Sequence, residues 1–387
     1  MPDSAGTGGQ ARVVVAVLGM GRSGTSMFSA SLEALGVALG ADLMVPTPYN
    51  PKGHWEHNRI VALDQRILDA FGARWDTPGL DAQALHAADA VATFAPEAAR
   101  VLTEQFSAAR VFGFKDPRMP RLLPIWQTAF ARLGLDDRYL IVCRHPLSVA
   151  DSLAKRDQSD RRKTFLLWLE YTLAALRHTA GKRRVLVDYD RFMQDPRRAL
   201  LSLHRRLGLP TVIDDEVISR FTRGFVERAL RHSEYSLEDL DAQPDVVPCL
   251  KAAYRLLSRV TADALDLESA AFSGEWAQVE AEYLRMGPAV GLIGSLDGSL
   301  QRTTAAVALE RQEHAEARRQ LKQAGEDLAQ CRQANATLQS QLEQAAQERA
   351  AHAEALRRQT LEIAAMRRTR SWRLTAPLRR LVDQLRH

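Results

Sequence analysis

Short, continuously apolar runs alternate along the chain with segments whose apolar residues recur every three or four positions. The run Val13-Val14-Val15-Ala16-Val17-Leu18 has no polar alternation, which is the mark of a strand buried on both faces. The stretch from Met27 to Leu35 has helical spacing, with Gly36 placed to stop it. Ile60, Leu63, Ile67, Leu68 and Phe71 form one helix face, after a loop marked by three prolines between Val45 and Asn58. Asp81 to Thr93 is Ala-rich and only weakly helical, whereas Pro96 to Ala109 predicts a helix leading into a strand at Val111 to Lys115. A helix through Leu122, Ile125, Trp126 and Phe130 follows, closed by Gly134, and then a buried strand at Tyr139 to Cys143. A helix with Val149 and Leu153, a helix from Phe165 to His178 and a strand at Val185 to Val187 continue the pattern. Helices from Pro196 to Leu207 and from Glu216 to Leu230 close it. Strands alternating with helices predict an α/β fold, a parallel sheet flanked by helices. Ligands of such sheets sit at the carboxyl ends of the strands, where Arg22, Lys115 and Arg144 all fall.

The pattern changes further on. Residues 1–10 are polar and Gly-rich and are expected to be disordered, which assigns the α/β domain to residues 11–233. Residues 234–302 read as helical connecting structure, with a Gly-rich break near Gly291 to Gly298. Residues 303–366 contain no proline and are rich in Ala, Glu, Gln, Arg and Leu. Leu321, Leu328, Leu342, Leu356 and Ile363 share one heptad position, and Cys331, Leu338, Ala345 and Met366 share its partner position. That is coiled-coil periodicity and predicts a homo-oligomer, with Asn335 in the seam able to set register. Arg349 and His352 also fall in the seam, and a long single surface helix is the alternative. Residues 367–387 form a basic amphipathic tail with Trp372, Leu374, Leu378, Leu381 and Leu385, suited either to capping an oligomer or to resting on an anionic membrane.

Composition narrows the partners. The 387 residues are 46% hydrophobic, enough for a sizeable core. The net charge of +5 suits an anionic substrate, but its dispersal gives no argument for nucleic acid. The three cysteines, Cys143, Cys249 and Cys331, show neither disulfide nor metal spacing and point to a reducing compartment. With no signal-peptide pattern and no membrane-length apolar run, a soluble cytoplasmic protein is expected.

The candidate chemistry begins at Gly19-Met20-Gly21-Arg22-Ser23-Gly24-Thr25-Ser26, between the first strand and the first helix. Glycines let backbone N–H groups approach an anion, and the helix N-terminus adds a favourable dipole. The spacing is nearly that of Walker A, but Thr25 stands where the lysine belongs and the cation has moved to Arg22. A nucleoside triphosphatase without that lysine lacks its main contact to the transferring phosphate.

The Arg-Ser-Gly-Thr-Ser string instead resembles the 5′-phosphosulfate loop of sulfotransferases that use PAPS (3′-phosphoadenosine 5′-phosphosulfate). Arg144, Pro146 and Ser152 lie after the Tyr139 strand at the separation with which that family holds the 3′-phosphate of PAPS. Arg offers a fixed fork of donors to a phosphate, and Ser adds a hydroxyl from a neighbouring turn. Lys115-Asp116-Pro117 resembles a third string of the family. Val187-Asp188-Tyr189, with Asp195-Pro196 and Leu207-Gly208-Leu209-Pro210, resembles a fourth, softer one. The resemblance spans Arg12 to Pro210, and the C-terminal Arg-Lys-Gly motif of the cytosolic members is missing. It implies a P-loop-like sulfotransferase fold that needs no metal. Arg22, Ser23, Gly24, Thr25, Ser26, Arg144 and Ser152 would bind PAPS, and Arg22 and Lys115 would stabilise the departing phosphate.

Related enzymes place a Glu after the first helix as general base, and Glu56, beside Trp55, is the matching residue. His54 and His57 compete for the role, because an imidazole titrates near neutrality. The string Ser371 to Arg379 resembles tails of bacterial cell-surface polysaccharide enzymes, which favours a glycan as the hydroxyl acceptor and a location at the inner face of the membrane. Two other readings compete with a sulfotransferase: an ATP-dependent P-loop kinase, and a non-catalytic coiled-coil scaffold with a nucleotide-binding domain.

Overall fold

The structure is a computed structural model that describes residues 11–47, 53–80, 82–226 and 235–385. The expected disorder of residues 1–10, the middle of the Pro-rich loop and the end of the helix expected to reach Leu230 lie outside the described residues. The chain divides into two compact units, Met1–Gln301 and Arg302–His387.

The first unit is built on a four-stranded sheet of β1 (Val13–Leu18), β2 (Val111–Lys115), β3 (Asp136–Cys143) and β4 (Arg183–Asp188), in the order β2-β1-β3-β4. Every pair is parallel, so each connection is a crossover. The expected α/β parallel sheet with flanking helices is therefore present. Between β1 and β2 lie α1 (Thr25–Ala34), α2 (Asn58–Ala70), α3 (Ala82–Leu85) and α4 (Ala88–Phe106). Next come α5 (Met119–Arg132) before β3, and α6 (Pro146–Asp157) and α7 (Arg161–His178) before β4. After β4 follow α8 (Tyr189–Phe192), α9 (Pro196–Leu207) and α10 (Asp215–Phe221), which ends in a π-helical turn at Thr222–Val226.

Because strand side chains alternate, β1 feeds two cores. Val14, Ala16 and Leu18 pack with residues of α2, α4, α5, α6 and α7. Val13, Val15 and Val17 pack with Phe28, Leu32, Leu200, Leu203 and Ile218 on the other face. Chain order reverses at β1, whose neighbours β2 and β3 lead away on opposite sides. A crevice at the carboxyl end of β1 is the place such a sheet offers a ligand.

Three expectations need correction. Pro96 does not begin a helix: it lies inside α4, which starts at Ala88. A continuous buried face of Ala90, Ala95, Ala98, Val101 and Leu102 outweighs the missing N–H. The region after Tyr235 is more than connecting structure. Here α11 (Leu237–Asp241), α12 (Pro248–Thr261) and α13 (Ala270–Arg285) bury Leu240, Leu250, Leu257, Phe272 and Trp276 in the same core as Leu18 and Trp126. The Gly-rich break is also absent, since α14 runs unbroken over Gly287–Arg368. Gly294 sits so close to the Pro78 carbonyl that a side chain would collide with it, so glycine serves close packing there, not helix termination.

The second unit holds most of α14, then α15 (Arg370–Leu374) and α16 (Ala376–Gln384). From Arg302 to Arg370 every side chain is exposed. The guanidinium of Arg379 lies 3.8 Å from the centre of the Trp372 ring, which folds the start of the tail on itself. No described helix is long and apolar enough to cross a membrane.

Candidate functional site

The loop after β1 leaves the sheet through a strained path. Arg22 has φ 72°, a left-handed conformation that is uncommon outside glycine. Gly24 follows at φ 92° and caps α1 without a side-chain hydrogen bond, so the first-turn N–H groups have no capping side chain. The edge of the Tyr189 ring closes over it: a Cβ on Gly24 would lie 2.8 Å from Cε2 and closer still to Cδ2. Ser23 and Thr25 are buried and support the loop from within, whereas Ser26 is half-buried on its open side.

Lys115 emerges from the end of β2 on one flank of this loop. Its Nζ donates to Glu56 Oε1 at 2.5 Å, to the His54 carbonyl at 3.3 Å and to Ser26 Oγ at 3.4 Å. Its side chain is 3% exposed and that of Glu56 10%, so this is a nearly desolvated ion pair. Trp55, immediately before Glu56, has φ 56°, an outlier for a bulky residue of the kind that clusters at functional sites.

The histidines separate. His54 stays beside the pair, its Nε2 3.0 Å from Thr47 Oγ1. Burial, then the Lys115 charge, lower its pKa below the ordinary value, against an opposing pull from Glu56. His57 points elsewhere: its ring is buried against Phe106, centroids 5.6 Å apart, and against Gly40. The structure therefore does not bring His57 to Lys115 and Glu56.

Beneath the pair, Asp116 is fully buried and accepts from the Arg118 backbone N–H at 2.8 Å and from Arg118 Nη1 at 2.9 Å. It orients Arg118 and the turn. Asp64 on α2 is also fully buried and accepts from Trp126 Nε1 at 2.8 Å. Burial, then the charge of Asp116, push its pKa well up. No sequence pattern marks Asp64, which sits among Ile60, Leu63 and Ile67 like any residue of that helix.

The other flank gathers cations. Arg144 follows β3, its backbone pinned by a 3.0 Å hydrogen bond from Trp168 Nε1 to its carbonyl. Its guanidinium carbon lies 4.6 Å from the Tyr189 ring centre, and Nη1 donates to the Arg22 carbonyl at 3.3 Å. Its Nε is buried and makes no hydrogen bond among the described residues, an orphaned donor that an anion would satisfy. Ser152, two turns into α6, accepts from Arg22 Nε at 2.8 Å. Burial, then the charges of Arg156 and Arg144, lower the Arg22 pKa.

Arg22 was expected both to bind the donor and to stabilise the departing phosphate, and its guanidinium contacts Ser152 on the Arg144 flank while Lys115 stands on the other. His145 and Arg156 were not singled out in the sequence. The His145 ring accepts from Leu147 N–H at 3.2 Å and faces the Ser236 carbonyl at 3.0 Å, fixing the start of α6. The only sequence signal for Arg156 was its place in a charged stretch.

No protein-family model matches the chain, and no curated protein matches it. Among solved structures, the sulfotransferase domain from the curacin biosynthetic pathway is similar at 13% identity with a TM-score of 0.34, over 70% of this chain and 99% of that one. A sulfotransferase from Mycobacterium tuberculosis is similar at 15% identity with a TM-score of 0.36, over 65% of this chain and 77% of that one. The sulfotransferase domain of a Synechococcus olefin synthase is similar at 17% identity with a TM-score of 0.34, over 70% and 94% of the two chains.

Proposed function

We propose that the chain transfers a sulfuryl group from PAPS to a hydroxyl acceptor. One observation carries the reading. Two cationic flanks, Arg144 with Arg22 and Ser152, and Lys115 with Ser26 and Glu56, stand on either side of a glycine loop at the carboxyl ends of adjacent strands. A donor with two separate anionic ends, a 3′-phosphate and a 5′-phosphosulfate, matches that division. The orphaned Nε of Arg144 supports the 3′-phosphate end, and the α1 N-terminus without a side-chain cap supports the other.

In this reading Glu56 takes the proton of the acceptor hydroxyl as its oxygen attacks sulfur in line. The bond from sulfur to the 5′-phosphate oxygen breaks, and the electron pair leaves on that oxygen. Lys115 and the loop N–H groups stabilise the charge that develops there. Arg22 moves from the leaving-group role to holding the nucleotide beside Ser152. A glycan acceptor at the inner face of the membrane remains our proposal and rests on the tail. The kinase reading has Thr25 against it: the residue at the Walker lysine position is buried in the loop's interior and carries no cation.

The test is isothermal titration with 3′-phosphoadenosine 5′-phosphate (PAP), ADP and ATP, without metal. PAP binding at least tenfold tighter than ADP, at low micromolar concentration, is expected, because only PAP supplies the second phosphate. Equal binding of PAP and ADP, or ATP turnover in a parallel assay with magnesium added, would overturn the reading.

A further inference from the structure

We propose that α14 pairs with α14 of a second copy of this chain as a parallel, in-register, two-stranded coiled coil. This stands independently of the sulfotransferase reading. The apolar stripe is unpartnered, with Leu321, Leu328, Leu338, Leu342, Leu356 and Ile363 all exposed on a continuous helix. The charges beside that stripe choose the occupant and its direction. Taking Leu321 as position a, the charged residues at g are Glu313, Asp327, Glu348 and Glu362, all acidic. The charged residues at e are Arg311, Arg318, Arg332 and Arg367, all basic.

In a parallel pair, a g residue faces the e residue five positions later on the other helix. Glu313 then meets Arg318, Asp327 meets Arg332, and Glu362 meets Arg367, each of opposite sign. An antiparallel pair sets g against g and e against e, acid on acid and Arg on Arg. Three of the helix's own ion pairs, Arg319–Glu316, Lys322–Glu326 and Arg358–Glu354, fall on its outer positions, and a fourth, between His314 and Glu310 at 3.8 Å, lies at seam positions a and d near the start of the stretch and touches none of the g and e charges.

The polar seam residues suit the same arrangement. Asn335 at a meets Asn335 of the second copy across the axis, which fixes register. Arg349 at a enters a hole bordered by Glu348 of the second copy. Cys331 at d is exposed, while Cys143 and Cys249 are buried, so in register the two Cys331 thiols face one another.

The experiment uses the full chain. Light scattering should give twice the chain mass at micromolar concentration. Copper-phenanthroline with dioxygen, which accepts the two electrons and two protons released by a thiol pair, should give a reducible disulfide dimer that Cys331→Ser abolishes. The combined Glu313→Lys, Asp327→Lys and Glu362→Lys variant should raise the dimer dissociation constant about tenfold or more, by setting like charges opposite each other. Adding Arg318→Glu, Arg332→Glu and Arg367→Glu should restore the dimer, which separates charge pairing from damage to the helix. A monomer, a larger oligomer, a dimer without the Cys331 disulfide, or a dimer indifferent to the charge reversal would each overturn the proposal.

Discussion

Replacing Gly24 by Ala tests whether the loop, Tyr189 and Arg144 form one anion grip. Gly24 sits at φ 92°, ψ 10°, where a residue with a Cβ costs about 1–2 kcal/mol. The added Cβ would lie 2.8 Å from Tyr189 Cε2 and 3.1 Å from its Cγ. Carbon atoms rest at roughly 3.5–4.0 Å and Tyr189 Cδ2 lies nearer than either of these atoms, so the ring must retreat by more than about 1 Å. That ring is 4.6 Å from the Arg144 guanidinium, and loosening such a contact costs about 0.5–2 kcal/mol. Together these amount to about 1.5–4 kcal/mol, which corresponds to a loss of PAP affinity of about tenfold or more in isothermal titration. The double variant Gly24→Ala/Tyr189→Ala removes the collision and keeps the backbone cost, so its loss should be smaller than the sum of the two single losses. If Gly24→Ala binds PAP within about threefold of the parent, or if the two substitutions simply add, the coupled grip is wrong.

Further outcomes follow from the same site. Glu56→Gln should lower turnover by about two to four orders of magnitude with PAP binding intact, and retained turnover would transfer the role of base to His54. Lys115→Ala should lower kcat far more than PAP affinity, whereas Arg22→Ala and Arg144→Ala should mainly weaken PAP binding; the opposite split would reverse the assignment of the flanks. Asp188 should make stability fall with rising pH. Burial pushes its pKa up to about 6, from an ordinary 3.8. The folded state therefore binds the extra proton, and stability present below about pH 4 is lost as pH rises through about 6, by about 3 kcal/mol. Asp188→Asn keeps the cap on α8, whose Asp190 and Arg191 N–H groups it accepts, and removes that slope. Parallel denaturation curves for the two proteins across pH 4 to 7 would sink the point.

The sheet was legible because four short apolar runs alternate with segments of helical spacing, a pattern that a parallel sheet buried on both faces produces, and their carboxyl ends could be read off as soon as they were placed. Lys115 and Glu56 were each visible, but their contact was not, because 59 residues separate them and the loop between bends at Trp55. The crowding of Arg22 with Ser152 was hidden for the same reason: it depends on α6 lying beside the loop after β1. Asp64 was invisible because a carboxylate on an apolar helix face reads as a solvent-facing residue until the opposing helix is known to bring Trp126 to it. Pro96 misled because local propensity was outweighed by the long buried face of α4.

The 2.5 Å contact between Lys115 and Glu56 bears on waste as well as on rate. An activated sulfuryl donor is always at risk from water, which is small enough to reach any open base. Here the carboxylate that would activate a nucleophile is tied to an ammonium and almost shut off from solvent, with 10% of its side chain exposed. In a sulfotransferase, a single water gains too little from binding to prise that pair apart, whereas a larger acceptor can spend contacts made elsewhere on doing so. On the proposed function the ion pair would act as a latch that keeps the donor from being hydrolysed while it waits, and Lys115→Ala should show itself in the ratio of donor lost to product made as well as in slower transfer.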